Sequence, residues 1–264
     1  MKNLAHDSTE IIHGDTFIDE FKNMVWNGFF YSKKRGVAFH KHFPIDRMNN
    51  SDFFYLYRRD KLIGGVCIVP CNKNQHVGIV SLVYIEEAFR GQGLLDKILK
   101  AAIKFSHTKY IALTLWTNKS YLYEKYGFNI LDSSFCIKFE NLDALDFALI
   151  EKNVTHQQQL IPAFSKSIDT YHKGDSCVVI TSNIDGSKSI CRYSGEVEDI
   201  VDIIMSCKGI IICNFPTKDE TMKSIKRILI EKQIGFKEYK PMLQMWLGSI
   251  KIEKIETYDL LDRL

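Results

Sequence analysis

The stretch EEAFRGQGLLDKIL, residues 86–99, lies between an apolar run, IVSLVYI (79–85), and an amphipathic one, LLDKILKAAIKF (94–105). An arginine and two glycines therefore interrupt the chain where a strand-like segment gives way to a helical one. Glycine at the mouth of a helix serves a tight backbone turn, or it lets something approach the backbone closely. The second use needs a ligand and the first does not. A strand feeding such a turn and then a helix N-terminus makes an anion cradle. The first helical N–H groups point outward unpaired, and the helix dipole adds partial positive charge. Arg90 brings a permanent charge, while Gly91 and Gly93 remove side chains that would obstruct a phosphate. G-x-G-x-x-G would need glycine at 96, where Asp96 stands, and Gly-Lys-Ser/Thr is missing, so neither the dinucleotide fingerprint nor the P-loop applies.

Working outward, the preceding text reads as a helix over 15–30 with apolar positions at 17, 18, 21, 24, 25, 28 and 29. Strand-like segments follow at 53–59, 62–70 and 77–85, the last two joined by the polar loop 71–76. Beyond the turn and its helix come a buried strand, YIALTLW (110–116), a short helix around SYLYEKYGF (120–128) and a strand near 133–140. The order predicts a mixed α/β (α+β) domain over residues 1–142. Residues 140–164 read as polar and helical without a strand signal, and the boundary is placed there. Residues 143–264 then form a second, smaller α/β domain: a hairpin (177–182 and 188–195), a helix (196–207), a strand (209–216), a helix (219–233) and a strand (241–250). The halves repeat one pattern: strand, Arg-x-x-Gly, helix, strand, helix, Gly-Phe, strand. It runs from Arg90/Gly93 to Gly127-Phe128 and again from Arg192/Gly195 to Gly235-Phe236, which points to a duplicated unit.

Composition narrows the classes. The 264 residues carry 35 Lys+Arg against 32 Asp+Glu, a net charge of +3, too balanced for a nucleic-acid binder or a membrane-surface protein. The longest apolar runs are too short to span a bilayer, and the first fifteen residues lack the apolar core of a secretory signal. Seven cysteines, none in C-x-x-C spacing, read as buried reduced thiols of a cytoplasmic protein rather than metal or redox ligands.

The strand, R-G-Q-G-L-L, the helix, the strand YIALTLW and then LYEKYGF together resemble the GCN5-related N-acetyltransferase (GNAT) superfamily over roughly residues 15–140. Its phosphate-binding motif, Q/R-x-x-G-x-G/A, falls on Arg90–Leu95, and its Y-x-x-x-G-F motif falls on Tyr123–Phe128. Two departures stand out. The final Gly/Ala of the first motif is Leu95, and the Asn and Ala often found upstream of the tyrosine are replaced by Trp116 and Lys119, with Asn118 displaced.

The resemblance implies a GNAT fold, a central mixed sheet flanked by helices, with acetyl-CoA as cosubstrate and no metal. Its pyrophosphate is expected on the amides of Gly91, Gln92, Gly93, Leu94 and Leu95, beside the charge of Arg90, with Asn118 as a further contact. Its pantetheine arm is expected along the edge of Val83, Tyr84 and Ile85, where two strands splay apart. Tyr123 is the expected proton donor to the departing thiolate. The base is left open: Glu86 is the first candidate beside Glu87 and His76, which flank the central strand, and water can relay the proton without a side chain.

In the second half Glu196, Glu198 and Asp199 place three negative charges where a pyrophosphate would dock, and Glu231 takes the place of Tyr123. That half resembles the degenerate C-terminal domain of two-domain members. The expected activity is acetyl transfer to a primary amine of a small molecule, by direct attack within a ternary complex. A non-catalytic acyl-CoA sensor with the same fold is the alternative. Acceptor recognition is expected from Trp26, Phe29, Phe30, Tyr31, His40 and His42. Nucleic-acid and membrane partners are not expected, and nothing indicates an oligomer.

Overall fold

A computed structural model describes residues 8–33, 45–48, 50–132, 135–143, 150–155, 161–162, 165–215, 219–240 and 243–248; His40 and His42 lie outside the described residues. Two seven-stranded mixed sheets form the frame. The first is built from β1 (Thr9–Gly14), β2 (Asp52–Arg58), β3 (Lys61–Pro70), β4 (Val77–Ile85), β5 (Ala112–Thr117) and β6 (Asn129–Asp132). The second uses β7 (Phe135–Asn141), β8 (Glu151–Thr155), β9 (Ser165–Lys173), β10 (Ser176–Asn183), β11 (Lys188–Ser194), β12 (Gly209–Phe215) and β13 (Phe236–Tyr239); β14 (Leu243–Gly248) ends the described chain.

Period-two alternation places the layers. On β2, Phe54 and Leu56 face one core and Phe53 and Tyr55 the other. The first core is closed by α2 (Leu94–Ser106), which buries Leu94, Ile98, Leu99 and Ala102. The other is closed by α1 (Asp19–Val25), through Phe21 and Val25, and by the π-helical turn Trp26–Phe30 that continues it. The helix expected over 15–30 is thus α-helical only to Val25 and then widens. Among the described residues no helix is long and apolar enough to cross a membrane.

The repeat is visible as topology. The first sheet runs β1-β2-β3-β4-β5-β14-β6 and the second β8-β9-β10-β11-β12-β7-β13. Each has a single parallel pair, β4/β5 and β11/β12. Helix α2 joins the first pair and α4 (Val197–Ser206) the second; α3 (Tyr121–Glu124) and α5 (Glu220–Glu231) follow β5 and β12.

The sixth place of each sheet is filled by a strand from the other half. β14 inserts antiparallel between β5 and β6, with Leu243 opposite Thr117 and Met245 opposite Leu115 and Ile130. β7 inserts between β12 and β13, with Ile137 opposite Cys213 and Glu238. Met245 lies in the first core, and Ile137 and Phe139 lie in the second. Burying each such side chain contributes about 1.5–3 kcal/mol, so the exchange ties the halves together. Neither side of a cut at 142/143 holds all the strands of its own sheet. The polar stretch expected to be helical contains β8, and β9 lies in a region to which the sequence assigned no element. β8 is the edge strand of the second sheet, with Glu151, Lys152 and Asn153 exposed, and β9 lies between it and β10.

Candidate active site

β4 and β5 pair only over Val77–Ile79 with Ala112–Thr114. Beyond that the strands separate, so the run from Val80 to Ile85 has β3 on one side and no described strand on the other. A bulge at Leu82, whose φ is +50°, bends β4 where it leaves its neighbour. The chain then passes through a short 3-10 turn, Glu87–Phe89, into the cradle loop and α2.

Gly91 and Gly93 adopt φ of +78° and +72°, a region L side chains rarely enter, and a Cβ on either would meet nothing within 4 Å. Left-handed backbone, rather than crowding by protein atoms, is what calls for glycine here, and the space outside stays open. Among the described residues nothing accepts a hydrogen bond from the N–H groups of Gly91, Gln92, Gly93, Leu94 or Leu95. Leu95, the departure from the motif, packs against the first core and leaves the backbone face clear.

Arg90 takes a different position from the one expected. Its Nε donates to the Ile85 carbonyl at 3.0 Å, and its guanidinium lies over the Tyr84 ring, 5.6 Å from the centroid. It therefore braces the loop against β4 and engages the carbonyl of one of the three expected edge residues. The Tyr84 ring in turn packs on Gly28, where a Cβ would stand 2.1 Å from it, and edge-on against Phe29 at 5.5 Å. Thus the π-helical turn reaches the separated end of β4 only because residue 28 has no side chain. Of the aromatics expected in acceptor recognition, Trp26 stacks on Phe30, Phe30 is buried in the core, and Tyr31 is exposed.

The cradle has supports that the motif does not contain. Arg58 donates to the Gln92 side chain at 3.0 Å and lies over Phe89, and Lys61 pairs with Glu86 at 2.9 Å. Both cations come from the ends of the β2–β3 hairpin, and alternation alone marks them only as strand termini. Asn118 is exposed, in the turn between β5 and α3.

Tyr123 projects from α3 into the first core, edge-on to Phe128 at 6.0 Å. Its hydroxyl makes no hydrogen bond among the described residues. Burial, with Tyr126 nearby, pushes its pKa up to about 12, so it stays protonated at neutral pH. Among the described residues no group of three or more His, Cys, Asp and Glu stands close enough to hold a metal ion.

The corresponding place in the second half is filled by protein. β11 and β12 also pair over only three positions, Lys188–Ile190 with Ile211–Cys213. A Cβ on Gly195 would stand 2.3 Å from Ser176 Oγ. That hydroxyl accepts from the Glu196 N–H at 3.0 Å and donates to Asp199 at 3.2 Å, and Asp199 pairs with Lys173 at 2.9 Å. Tyr193, at the place of Gly91, donates from its hydroxyl to Asp219, the residue that caps α5. Of the three acidic residues expected there, Asp199 is engaged by Ser176 and Lys173, while Glu196 and Glu198 are exposed. Glu231 ends α5, exposed.

Residues 49–130 match the family described as Acetyltransferase (GNAT) domain. No curated protein matches the sequence. Among solved structures, the chain is similar to a putative acetyltransferase from Pyrococcus horikoshii, with TM-score 0.62 and 13% identity over 98% of this chain and 96% of that one. It is similar to a probable N-acyltransferase from Enterococcus faecalis, with TM-score 0.63 and 11% identity over 90% and 72%. A tandem GNAT protein from the clavulanic acid biosynthesis pathway matches with TM-score 0.57 and 9% identity over 92% of this chain and all of that one. The two-sheet architecture is therefore shared at full length, while the sequence match is confined to the segment carrying the open cradle.

Proposed function

We propose that this chain, whose residues 49–130 match a GNAT acetyltransferase domain, is an acyltransferase that transfers an acetyl group from acetyl-CoA to a primary amine of a small molecule. The observation that carries the reading is the contrast between the halves. Five backbone N–H groups without acceptors and two open glycines sit at the mouth of separated strands in the first half, and Ser176 and Tyr193 occupy the same place in the second. The N–H groups of residues 91–95 bind the pyrophosphate, helped by the positive end of α2. The free side of β4, at Val83 and Tyr84, pairs with the amides of the pantetheine arm. Asn118, exposed after β5, is a further contact.

The amine attacks the thioester carbonyl directly, and the carbon–sulfur bond breaks as the amide forms. Tyr123 supplies a hydrogen bond to the departing thiolate. With a pKa near 12 it is a weaker acid than an ordinary thiol, at about 8.5. Its hydroxyl therefore stabilises the developing charge, and the thiolate's proton ultimately derives from the attacking nitrogen. Glu86 is the candidate base. Its carboxylate pairs with Lys61 at 2.9 Å, and the amine proton reaches it through water. Seven free cysteines among the described residues support a reducing, cytoplasmic setting. The sensor alternative draws on two departures from the motifs, Leu95 and the missing Asn/Ala pattern; Leu95 packs against the first core, and the second departure still favours the sensor.

Calorimetric titration of acetyl-CoA, followed by thiol release with a panel of amino acids, amino sugars and polyamines, tests the proposal. One site per chain and turnover with a panel member are expected. Two sites per chain would overturn the reading of the second half. Binding without turnover on any amine would favour the sensor, and no binding would remove the function altogether.

A further inference from the structure

A helix of four residues cannot hold its own geometry, because nucleation is costly and only longer helices recover that cost. Yet α3, which carries Tyr123, is that short. Its anchor lies across the site, in the first turn of α2. Asp96 Oδ1 accepts from the Tyr126 hydroxyl at 2.9 Å and from Lys125 Nζ at 3.0 Å, and Oδ2 pairs with Lys100 at 2.8 Å. Tyr126 and Lys125 form the turn that follows α3 directly, so one carboxylate fixes the far side of the short helix.

The location makes the residue unusual. A negative charge three residues beyond Gly93 faces the end of the helix where an anion is expected, and repulsion would weaken binding there. Two ammonium groups offset that charge locally, and their hydrogen bonds, with that of Tyr126, hold the Asp96 carboxyl well below the usual carboxylate range. The groups facing it from the packed elements are Lys100 on α2 and Lys125 and Tyr126 after α3. Dipole stabilisation alone would be met by any acid in this turn. The bonds to Lys125 and Tyr126 link two separate elements of the site.

We propose that Asp96 is a positioning residue: by holding Lys125 and Tyr126 it fixes the turn after α3 and so aims the Tyr123 hydroxyl at the thioester sulfur, joining the cradle helix to the donor. This inference rests on the proposed role of Tyr123. The arrangement assigns the orientation of Tyr123 to a residue that contacts neither substrate. A purely stabilising ion pair would affect melting temperature and leave turnover by the folded enzyme unchanged.

The test compares the full-length wild type with Asp96→Asn, Asp96→Glu, Tyr126→Phe, Tyr123→Phe and the double variant Asp96→Asn/Tyr123→Phe. Acetyl-CoA affinity is read by calorimetry. Turnover is read as thiol release with the amine that the wild type acetylates fastest. For Asp96→Asn we expect unchanged or tighter acetyl-CoA binding and a kcat lower by about 10- to 100-fold, the penalty for a misplaced catalytic group. Tyr126→Phe loses kcat in the same sense, and Asp96→Glu recovers part of it. The double variant is no slower than Tyr123→Phe, because the two losses act through one hydroxyl. Unchanged kcat in both Asp96→Asn and Tyr126→Phe, or additive losses in the double variant, would overturn the positioning role while leaving Tyr123 in place. Unchanged kcat in Tyr123→Phe would overturn the donor role and this inference with it.

Discussion

Thr114 donates a 2.9 Å hydrogen bond from its hydroxyl to the carbonyl of Met245, a residue 131 positions later in the chain. The same hydroxyl accepts from the buried Gln244 amide at 3.1 Å. This side-chain pair lies within the ladder that seats β14 in the first sheet. Thr114→Val leaves the Gln244 amide buried without its acceptor, at a cost of about 1–3 kcal/mol. The expected result is a lowered melting temperature with a single cooperative transition.

Removal of residues 241–264 takes β14 out of the first sheet and exposes the facing edges of β5 and β6. Open edges template aggregation. The truncated chain is expected to lose acetyl-CoA binding and to aggregate on expression, even though the cradle and Tyr123 are retained. A soluble truncation with wild-type affinity by calorimetry would show that the exchanged strand is dispensable.

Gly93→Ala and Gly195→Ala are expected to fail differently. At Gly93 the added methyl meets no atom, so the penalty is the left-handed backbone, about 1–2 kcal/mol. Its main effect is weaker acetyl-CoA binding, because the methyl projects into the open cradle. At Gly195 the same strain is joined by a collision with Ser176. There the melting temperature falls further while affinity and stoichiometry in the folded fraction stay at wild-type values. Calorimetry and thermal melts on both variants check the contrast.

Tyr123→Phe is expected to lower kcat by about 100-fold or more with acetyl-CoA affinity retained, as for loss of a positioned hydrogen-bond donor to developing charge. The pKa of Tyr123 is raised from 10.0 to about 12, so this residue imposes no alkaline limb on kcat below about pH 11. The same shift has a stability consequence. The unfolded phenol ionises first, so the contribution of Tyr123 is complete below pH 10 and is lost as pH rises through about 12. Tyr239, also raised to about 12 by burial, loses its contribution over the same interval. Chemical denaturation between pH 8 and pH 12 is expected to show stability falling only above about pH 10, with a smaller fall in Tyr123→Phe.

Tyr193→Phe removes the hydroxyl that reaches Asp219 across the second pair of separated strands. Stability is expected to drop while the stoichiometry of acetyl-CoA binding stays at one per chain, since Ser176 still occupies the space beside Gly195. A second binding event in this variant would identify Tyr193 as the only obstacle in that cleft.

Much of the first-half site was legible because it depends on neighbours in the chain. Gly91 and Gly93 signal a left-handed turn, the spacing of Leu94, Ile98 and Leu99 signals a helix face, and the apolar run 79–85 signals a buried strand. The placement of Arg90 against Ile85 and Tyr84 was not legible, because an arginine beside glycines reads equally well as a ligand contact or a loop brace. Arg58, Lys61 and Asp96 acquire their roles from partners 25 to 34 positions away, across turns whose geometry periodicity does not specify.

The sequence by itself determined the elements around the cradle, the duplicated order and the place where an anion is expected, since backbone sterics and side-chain periodicity act over a few residues; it missed β1, β8 and β9. Tertiary structure decided which strand completes which sheet, which cleft stays open, and what holds Tyr123 in place. β7 alternates Ile137 and Phe139 with Lys138 and Glu140, and β14 is apolar except for Gln244, and neither pattern specifies which of the two sheets the strand joins. The choice between them comes from buried contacts such as Met245 in the first core and Ile137 in the second. Those contacts do not exist until residues more than a hundred positions apart have met.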